Sequence, residues 1–316
     1  MIAIGQTARV HRRQVLDYLS LAVIWGLSFL LLLKVVQAFG WVGGVAFRAL
    51  IASAILTGIA LVSRRRLAFG RWWPLAVVGA TTVAGQLVGL NIATPRIGTA
   101  MAAIFVGTIP LFSMLIGQIW GIEHITRVGR VGLALGFAGI VLLVGFPAVP
   151  VTKAFVLGCV CSLLSAVCAA FGSNYARRHL QAIGSWEQTI AAFVVGGLMT
   201  LPLLFVVPVP TKPAPIDFAY LVLLAGMCSA LAYVLYFRLV AEVGATIAIS
   251  VEFLVTVIAV IVGAVLLNER LSVVQLIGGA VIIVGCALVL DLLPRRRHGI
   301  RAVARVAPAP GDVERG

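Results

Sequence analysis

Little in this chain can carry a charge: Asp, Glu, Lys and Arg together make up 11% of its 316 residues, whereas 62% are hydrophobic. In a soluble domain about half of the residues are usually apolar, so the surplus excludes a water-soluble globule and makes the bilayer the solvent. Acids are scarcest, ten against 24 Lys and Arg. The resulting net charge of +14 would suit nucleic acid if a basic, aromatic-rich face or a binding motif came with it, but the cations sit between apolar runs and neither feature is present. A nucleic-acid partner is therefore excluded. The four histidines, His11, His124, His179 and His298, all lie outside the apolar runs. With no H-E-x-x-H, no G-x-S-x-G and no Gly-rich loop ending in G-K-[ST], neither an enzyme nor an ATP-driven pump is indicated, and no cofactor is expected. Cys159, Cys161, Cys168, Cys228 and Cys286 fall inside apolar runs without C-x-x-C spacing. They read as small buried apolar residues, so no disulfide and no metal site is inferred.

What the chain does contain is a repeat. Sliding the sequence by 146 positions puts Gly98 on Gly244, Gly117 on Gly263, Glu123 on Glu269, Gly132 on Gly278 and Gly139 on Gly285. In both copies an apolar run ends at Glu, a Thr or Ser follows three residues later, and a second apolar run begins. That hydroxyl can cap the next helix, and Ser272 with Gln275 fits a capping box. A helix pair recurring at such distance argues for a duplicated chain.

About 20 apolar residues cross the hydrocarbon core, and that criterion gives ten segments: 16–36, 42–63, 72–91, 97–120, 128–147, 154–176, 187–207, 217–239, 243–267 and 272–292. The expected fold is an all-α polytopic membrane protein of two five-helix repeats, residues 16–147 and 154–292. It is preceded by a polar segment, 1–15, and followed by a basic tail, 293–316, too poor in apolar bulk to fold. The run from Leu16 is too long for a removable signal peptide and lacks a small-residue cleavage site. Arg12 and Arg13 are read as positive anchors, not as a twin-arginine export signal.

Positive loops stay in the cytoplasm. With the N-terminus inside, 18 of the basic residues face the cytoplasm and 5 (Lys34, Arg96, Lys153, Lys212 and Arg270) face out, while Arg48 lies within the second run. Both termini are then cytoplasmic. Five spans is an odd number, so the halves enter the membrane from opposite sides as inverted repeats. That architecture suits alternating-access carriers, whose halves exchange inward-open and outward-open shapes about a central site.

These residues resemble the EamA-type branch of the drug/metabolite transporter superfamily. The likeness is carried by Trp25-Gly26 in the first span, Arg48 early in the second (AFRALIA), the Gly-to-Glu helices Gly98–Glu123 and Gly244–Glu269, and the glycine-rich fifth and tenth spans. It covers roughly residues 16 to 292. The resemblance implies ten helices, a central cavity lined by spans three, four, eight and nine with the first and sixth, and export of small metabolites such as amino acids or their derivatives. One departure stands out: Pro110 has Thr256 as its repeat counterpart, so the two halves need not bend alike.

Charge inside hydrocarbon costs about 2.5–3.5 kcal/mol on insertion scales, so each intramembrane ionisable residue needs a reason. Glu252 lies roughly 13 Å deep from the cytoplasmic side and Arg48 roughly 10 Å from the outer side, at 1.5 Å per residue. In a core about 30 Å thick their levels differ by only about 7 Å, within reach of an ion pair if their helices are neighbours. Arg48 can instead snorkel outward. The repeat partner of Glu252 is Val106, so the fold does not require the carboxylate; it could bind a substrate ammonium or carry a coupling proton. Trp25, Ser28, Gln86, Asn91, Asn174, Tyr233 and Tyr236 lie on spans expected to face the cavity and complete the candidate substrate site, each with helix packing as its plainer alternative. Glu123 and Glu269, at helix ends in both halves, are expected to be structural. Gly132 and Gly136 form a G-x-x-x-G, read as internal packing, with a homodimer contact as the alternative. The competing functional class is a lipid-handling, flippase-like protein or a non-transporting subunit.

A reporter fused after residue 316 is expected to report cytoplasm, and one fused near Lys153 the exterior. Finding both on one side would remove the five-plus-five arrangement.

Overall fold

The computed structural model describes residues 2–121, 125–147, 150–210, 212–243 and 248–290, with the side chains of 2–12, 240, 241 and 243 left undescribed. Among the described residues every regular element is helical. Seven stretches are long and apolar enough to cross a membrane, and two apolar helices, Val251–Leu266 and Val273–Val289, are shorter. The chain is thus an all-helical, multi-pass membrane protein.

The first element, α1 (Ile2–Val62), contains an apolar stretch of 50 residues, Arg13–Val62. A straight helix of that length would run about 75 Å, more than twice the hydrocarbon core. It has to turn back, and it does so at Gly40, whose φ of 73° and ψ of 174° are not helical. Only glycine takes that conformation cheaply, and a Cβ there would lie 3.0 Å from Pro210 Cδ. Then follow α2 (Trp72–Val78), a π turn (Gly79–Gly85) and α3 (Gln86–Ile97); α4 (Thr99–Val106), α5 (Ile109–Ile119) and α6 (Arg127–Gly145). The second half has α7 (Lys153–His179), α8 (Ser185–Thr200) with a 3-10 turn (Leu201–Phe205), α9 (Pro215–Ala225), a second π turn (Gly226–Leu231), α10 (Ala232–Val243), α11 (Val251–Leu266) and α12 (Val273–Val289). Shifted by the repeat offset, the first π turn falls on residues 225–231, which is where the second one lies.

Two expected spans are not continuous. The run 97–120 breaks at Gly107–Thr108 between α4 and α5, and in the run 243–267 a turn at Ser250 precedes α11. Pro110 explains the first break: it has no N–H to give back to Val106. Apolar bulk is the same on either side of each break, so hydropathy counts straight through.

The inter-repeat hydroxyls act as caps. Thr126 Oγ1 accepts from Gly129 N at 3.0 Å, and Ser272 and Gln275 form a reciprocal capping box at 3.1 and 2.9 Å. Beyond these caps α6 and α12 pack together through glycines. A Cβ on Gly132 would sit 2.5 Å from Gly285 O, and one on Gly285 would sit 2.6 Å from Gly132 O; Gly139 and Gly278 stand in the same relation at 2.7 and 2.9 Å. The pairing advances in opposite directions along the two helices, which are therefore antiparallel. Gly136 packs against Leu111, so the G-x-x-x-G is engaged inside the molecule.

Gly139→Leu is expected to lower thermal stability in detergent by about 1–3 kcal/mol or more, the cost of overpacking a filled interface. Gly145→Leu, where nothing lies within 4 Å of the added Cβ, should stay within about 0.5 kcal/mol of the parent. Equal melting of the two variants would show that the glycine contact contributes nothing.

Candidate functional site

Between α7, α8 and α10 lies a cavity of about 740 Å³, lined by polar groups that include Ser113, Asn174, Arg177, Gln188, Arg238 and Glu242. It narrows at Ser173, Tyr236, Phe237 and Ile249, which it shares with a pocket of about 40 Å³ holding Trp25, Thr82, Gln86, Tyr233 and Glu252. Trp25, Gln86, Tyr233 and Glu252 in turn border a third pocket, about 60 Å³, that reaches Ser28, Arg48 and Val106. Wide vestibule, constriction and two small chambers thus form one series. Each chamber has room for only a few water molecules.

Away from the three cavities, Glu269 caps α4. Its carboxylate accepts from Thr99 N at 2.7 Å, Thr99 Oγ1 at 2.9 Å and Ala100 N at 2.8 Å, covering the start of α4 after the positive-φ Gly98. An acid at a helix N-terminus satisfies free N–H groups and opposes the helix dipole.

The chambers contain most of the expected residues. Trp25 is held by Nε1 donating to Cys228 O at 3.2 Å, with its ring 5.6 Å from Tyr233 and 5.4 Å from Tyr236. Ser28 Oγ donates to Trp25 O at 2.7 Å. Arg48, 4% exposed, donates from Nε to Ser229 Oγ at 2.6 Å, and Ser229 donates to Leu224 O at 3.1 Å. That second bond spans five residues along the π turn, so the turn is what places Ser229 opposite Arg48. Glu252 is 9% exposed and sits in the first turn of α11, whose free N–H groups offset part of the cost of burying a carboxylate. Among the described residues its carboxylate has no hydrogen bond and no ion pair, and Arg48 does not come within 4.0 Å of it. The conjectured pair is not formed here: both residues reach one chamber, but the guanidinium is turned to Ser229.

Two expected residues stand apart. Asn91, 1% exposed, donates to Trp41 O at 3.2 Å and borders none of the three cavities, so it joins α3 to the bend of α1. Asn174 borders the vestibule but spends its amide on Ser113 O at 3.1 Å, Ser113 Oγ at 2.9 Å and Ala170 O at 2.9 Å. Glu123 lies outside the described residues. Sequence reasoning missed Ser229, Ser173 and Thr82, since a hydroxyl in an apolar run shows no sign of facing a cavity. It also missed the vestibule's edge, where Arg238 pairs with Asp17 and lies 4.0 Å from Glu242. Opposite charges 221 residues apart leave no pattern in the sequence.

The model of the EamA-like transporter family matches residues 15–145 and again 156–291. The chain is 28% identical to Protein PecM of Dickeya dadantii over 253 residues, covering 77% of this chain and 82% of that one. It is 26% identical to the uncharacterized inner membrane transporter YedA of Escherichia coli K12 over 284 residues, with 85% and 88% coverage. To the uncharacterized transporter YdeK of Bacillus subtilis it is 25% identical over 256 residues, covering 79% and 85%. A crystal structure at 17% identity superposes with a TM-score of 0.66 over 89% of this chain and 97% of that one, a likeness of fold.

With native thiols replaced by Ala, a cysteine at Tyr236, on the constriction, is expected to react with small water-soluble thiol reagents faster than one at Gln86, within the chambers. A cysteine at Gln181, on the vestibule wall, should react fastest. Faster labelling at Gln86 than at Gln181 would contradict the series of cavities.

Proposed function

Since the chain belongs to the EamA-like transporter family, we propose that it is a secondary transporter exporting small metabolites, such as amino acids or their derivatives, by alternating access between two inverted five-helix repeats. It is a multi-pass membrane transporter by family; substrate class, direction and mechanism are our reading. Counting α1 as two spans at Gly40 and joining α4 to α5, α2 to α3 and α9 to α10 supports ten crossings. Antiparallel packing of α6 on α12, which are repeat partners, supports inversion: helices related by a rotation run oppositely only if its axis lies across them, in the membrane plane. On this topology the vestibule opens to the cytoplasm, with both termini on that side, and the Glu269 cap seals the outer end of the path.

One observation carries the proposal: a buried carboxylate, Glu252, with no hydrogen-bond or ion-pair partner among the described residues, where the cavity series meets. A carboxylate at such depth is retained for a task, and here the task is to hold a substrate ammonium or a coupling proton. Transport is driven by a gradient or by exchange. A separate apolar groove of about 500 Å³ lined by Phe39, Phe47 and Phe218 shares no residue with the three cavities, which favours a water-soluble substrate over a lipid.

Glu252→Gln is expected to insert and fold, losing less than about 1 kcal/mol because no ion pair is broken, and to abolish efflux in cells overproducing the protein. Were Arg48 its partner, the variant would lose about 3–5 kcal/mol, and adding Arg48→Met would restore folding. Full transport in that double variant would sink the functional reading. Metabolite-resistance and efflux profiles of the same cells identify the substrate.

A further inference from the structure

Pro110 removes the N–H that would close the last turn of α4 on the carbonyl of Val106. The carbonyls around it have their own donors: Phe105 O takes Thr108 N at 2.9 Å and Thr108 Oγ1 at 2.6 Å, Gly107 O takes Cys286 Sγ at 3.2 Å, and Thr108 O takes Leu111 N at 3.0 Å. Val106 borders the 60 Å³ chamber together with Glu252. Thr256 holds the two elements in place, its hydroxyl donating to Ala103 O at 3.1 Å and to Glu252 O at 2.7 Å. That hydroxyl pins the first turn of α11 against the last turn of α4. The sequence of contacts, Ala100 at Gly263 and then Ala103 at Thr256, carries Val106 toward Glu252. These two are repeat partners, so the site lies where equivalent helices of the two halves cross. There the repeat is broken on both sides, by a carboxylate opposite valine and by a proline opposite threonine.

We infer that Glu252 and the open carbonyl end of α4 at Val106 form a binding site for a small monovalent cation, either the primary ammonium group of the substrate or a sodium ion; this rests on the transporter reading above. The C-terminal end of a helix carries partial negative charge, and unwound carbonyls in broken membrane helices hold small cations. Trp25, Tyr233 and Tyr236 line the same pocket as the carboxylate, and aromatic rings favour cations at their faces. Arg48, the one cation among the described residues that line the chambers, donates to Ser229. Size limits what enters: chambers of about 40 and 60 Å³ admit a cationic head, and the body of a metabolite stays in the 740 Å³ vestibule.

The test is thermal unfolding of the purified full-length protein in alkaline buffer, titrated with methylammonium chloride, tetramethylammonium chloride, sodium chloride and choline chloride at matched ionic strength. A cation that binds the folded state raises the melting temperature. Methylammonium should do so and tetramethylammonium, too large for the chamber, should not. Glu252→Gln should weaken the apparent affinity by about thirtyfold or more, the loss of one buried charged partner. Pro110→Ala, which returns an N–H to Val106 and keeps Glu252, should weaken it as well. Stabilisation by sodium over choline without any by methylammonium assigns the site to an ion. Stabilisation by neither methylammonium nor sodium, or equal stabilisation of the parent and Glu252→Gln, overturns the site. The efflux assay is separate, so a protein that transports but binds no small cation loses this site and keeps its transporter assignment.

Discussion

Within hydrocarbon no water is at hand to satisfy a backbone group, so each interruption of a helix must find its partners inside the protein or in a cavity. That constraint organises this molecule. The turn at Gly40 packs against the ring of Pro210, while the N–H groups at the start of α4 after Gly98 are taken by the Glu269 carboxylate. At the first π turn Thr81 and Thr82 donate back to Val77 O and Val78 O at 2.8 and 2.6 Å, and at the second Ser229 donates to Leu224 O. The break at Gly107–Thr108 is served by Thr108, Cys286 and Thr256. Among the described residues the Val106 carbonyl and the Glu252 carboxylate take no donor, and both residues border the 60 Å³ chamber.

The two halves agree where the molecule must be rigid and differ where it must discriminate. Gly132 with Gly285 and Gly139 with Gly278 are one contact made twice, each glycine letting a backbone approach that a methyl group would block. Such a contact is set by shape, and shape is what a duplicated sequence preserves. Arg48, Glu252 and Pro110 have no such counterparts. On the alternating-access proposal, a single carboxylate near the pseudo-symmetric centre would serve both access states with the same group, and a second one in the other half would oppose it with like charge.

The all-helical, multi-pass character was legible because it rests on length and spacing. Ten apolar runs, the 146-residue offset and the Ser272–Gln275 box are properties of the string, and the Gly40 turn fell in the gap left between the first two runs. Glu252 and Arg48 announced themselves by cost, since charge in an apolar run has to be explained. Their separation was not legible, because Arg48 is turned by Ser229, and Ser229 is brought round by a π turn in a stretch whose composition reads as ordinary helix. Asn91 and Gln86 illustrate the same limit from the other side. Both are amides on one span, and only the packing of α3 against the bend of α1 decides that one is structural while the other meets the chambers.

On the alternating-access proposal the asymmetry of the present shape, open at the vestibule and closed at Glu269, has an energetic scale. The closed end is held by three hydrogen bonds to one carboxylate. Each charge-assisted bond is worth about 1.5–3 kcal/mol net when dry, and less here, because Glu269 is only half-buried and water replaces the donors as they part. Opening that end therefore costs a few kcal/mol at most. A ligand shifts such an equilibrium only by its differential affinity for the two shapes, and about 5.5 kcal/mol suffices to take a pair of states from 1:99 to 99:1. One buried carboxylate, engaged by a cation in one shape and left alone in the other, is of that order. On that proposal the cap would be strong enough to hold the empty carrier closed at one end and weak enough for the site to move it.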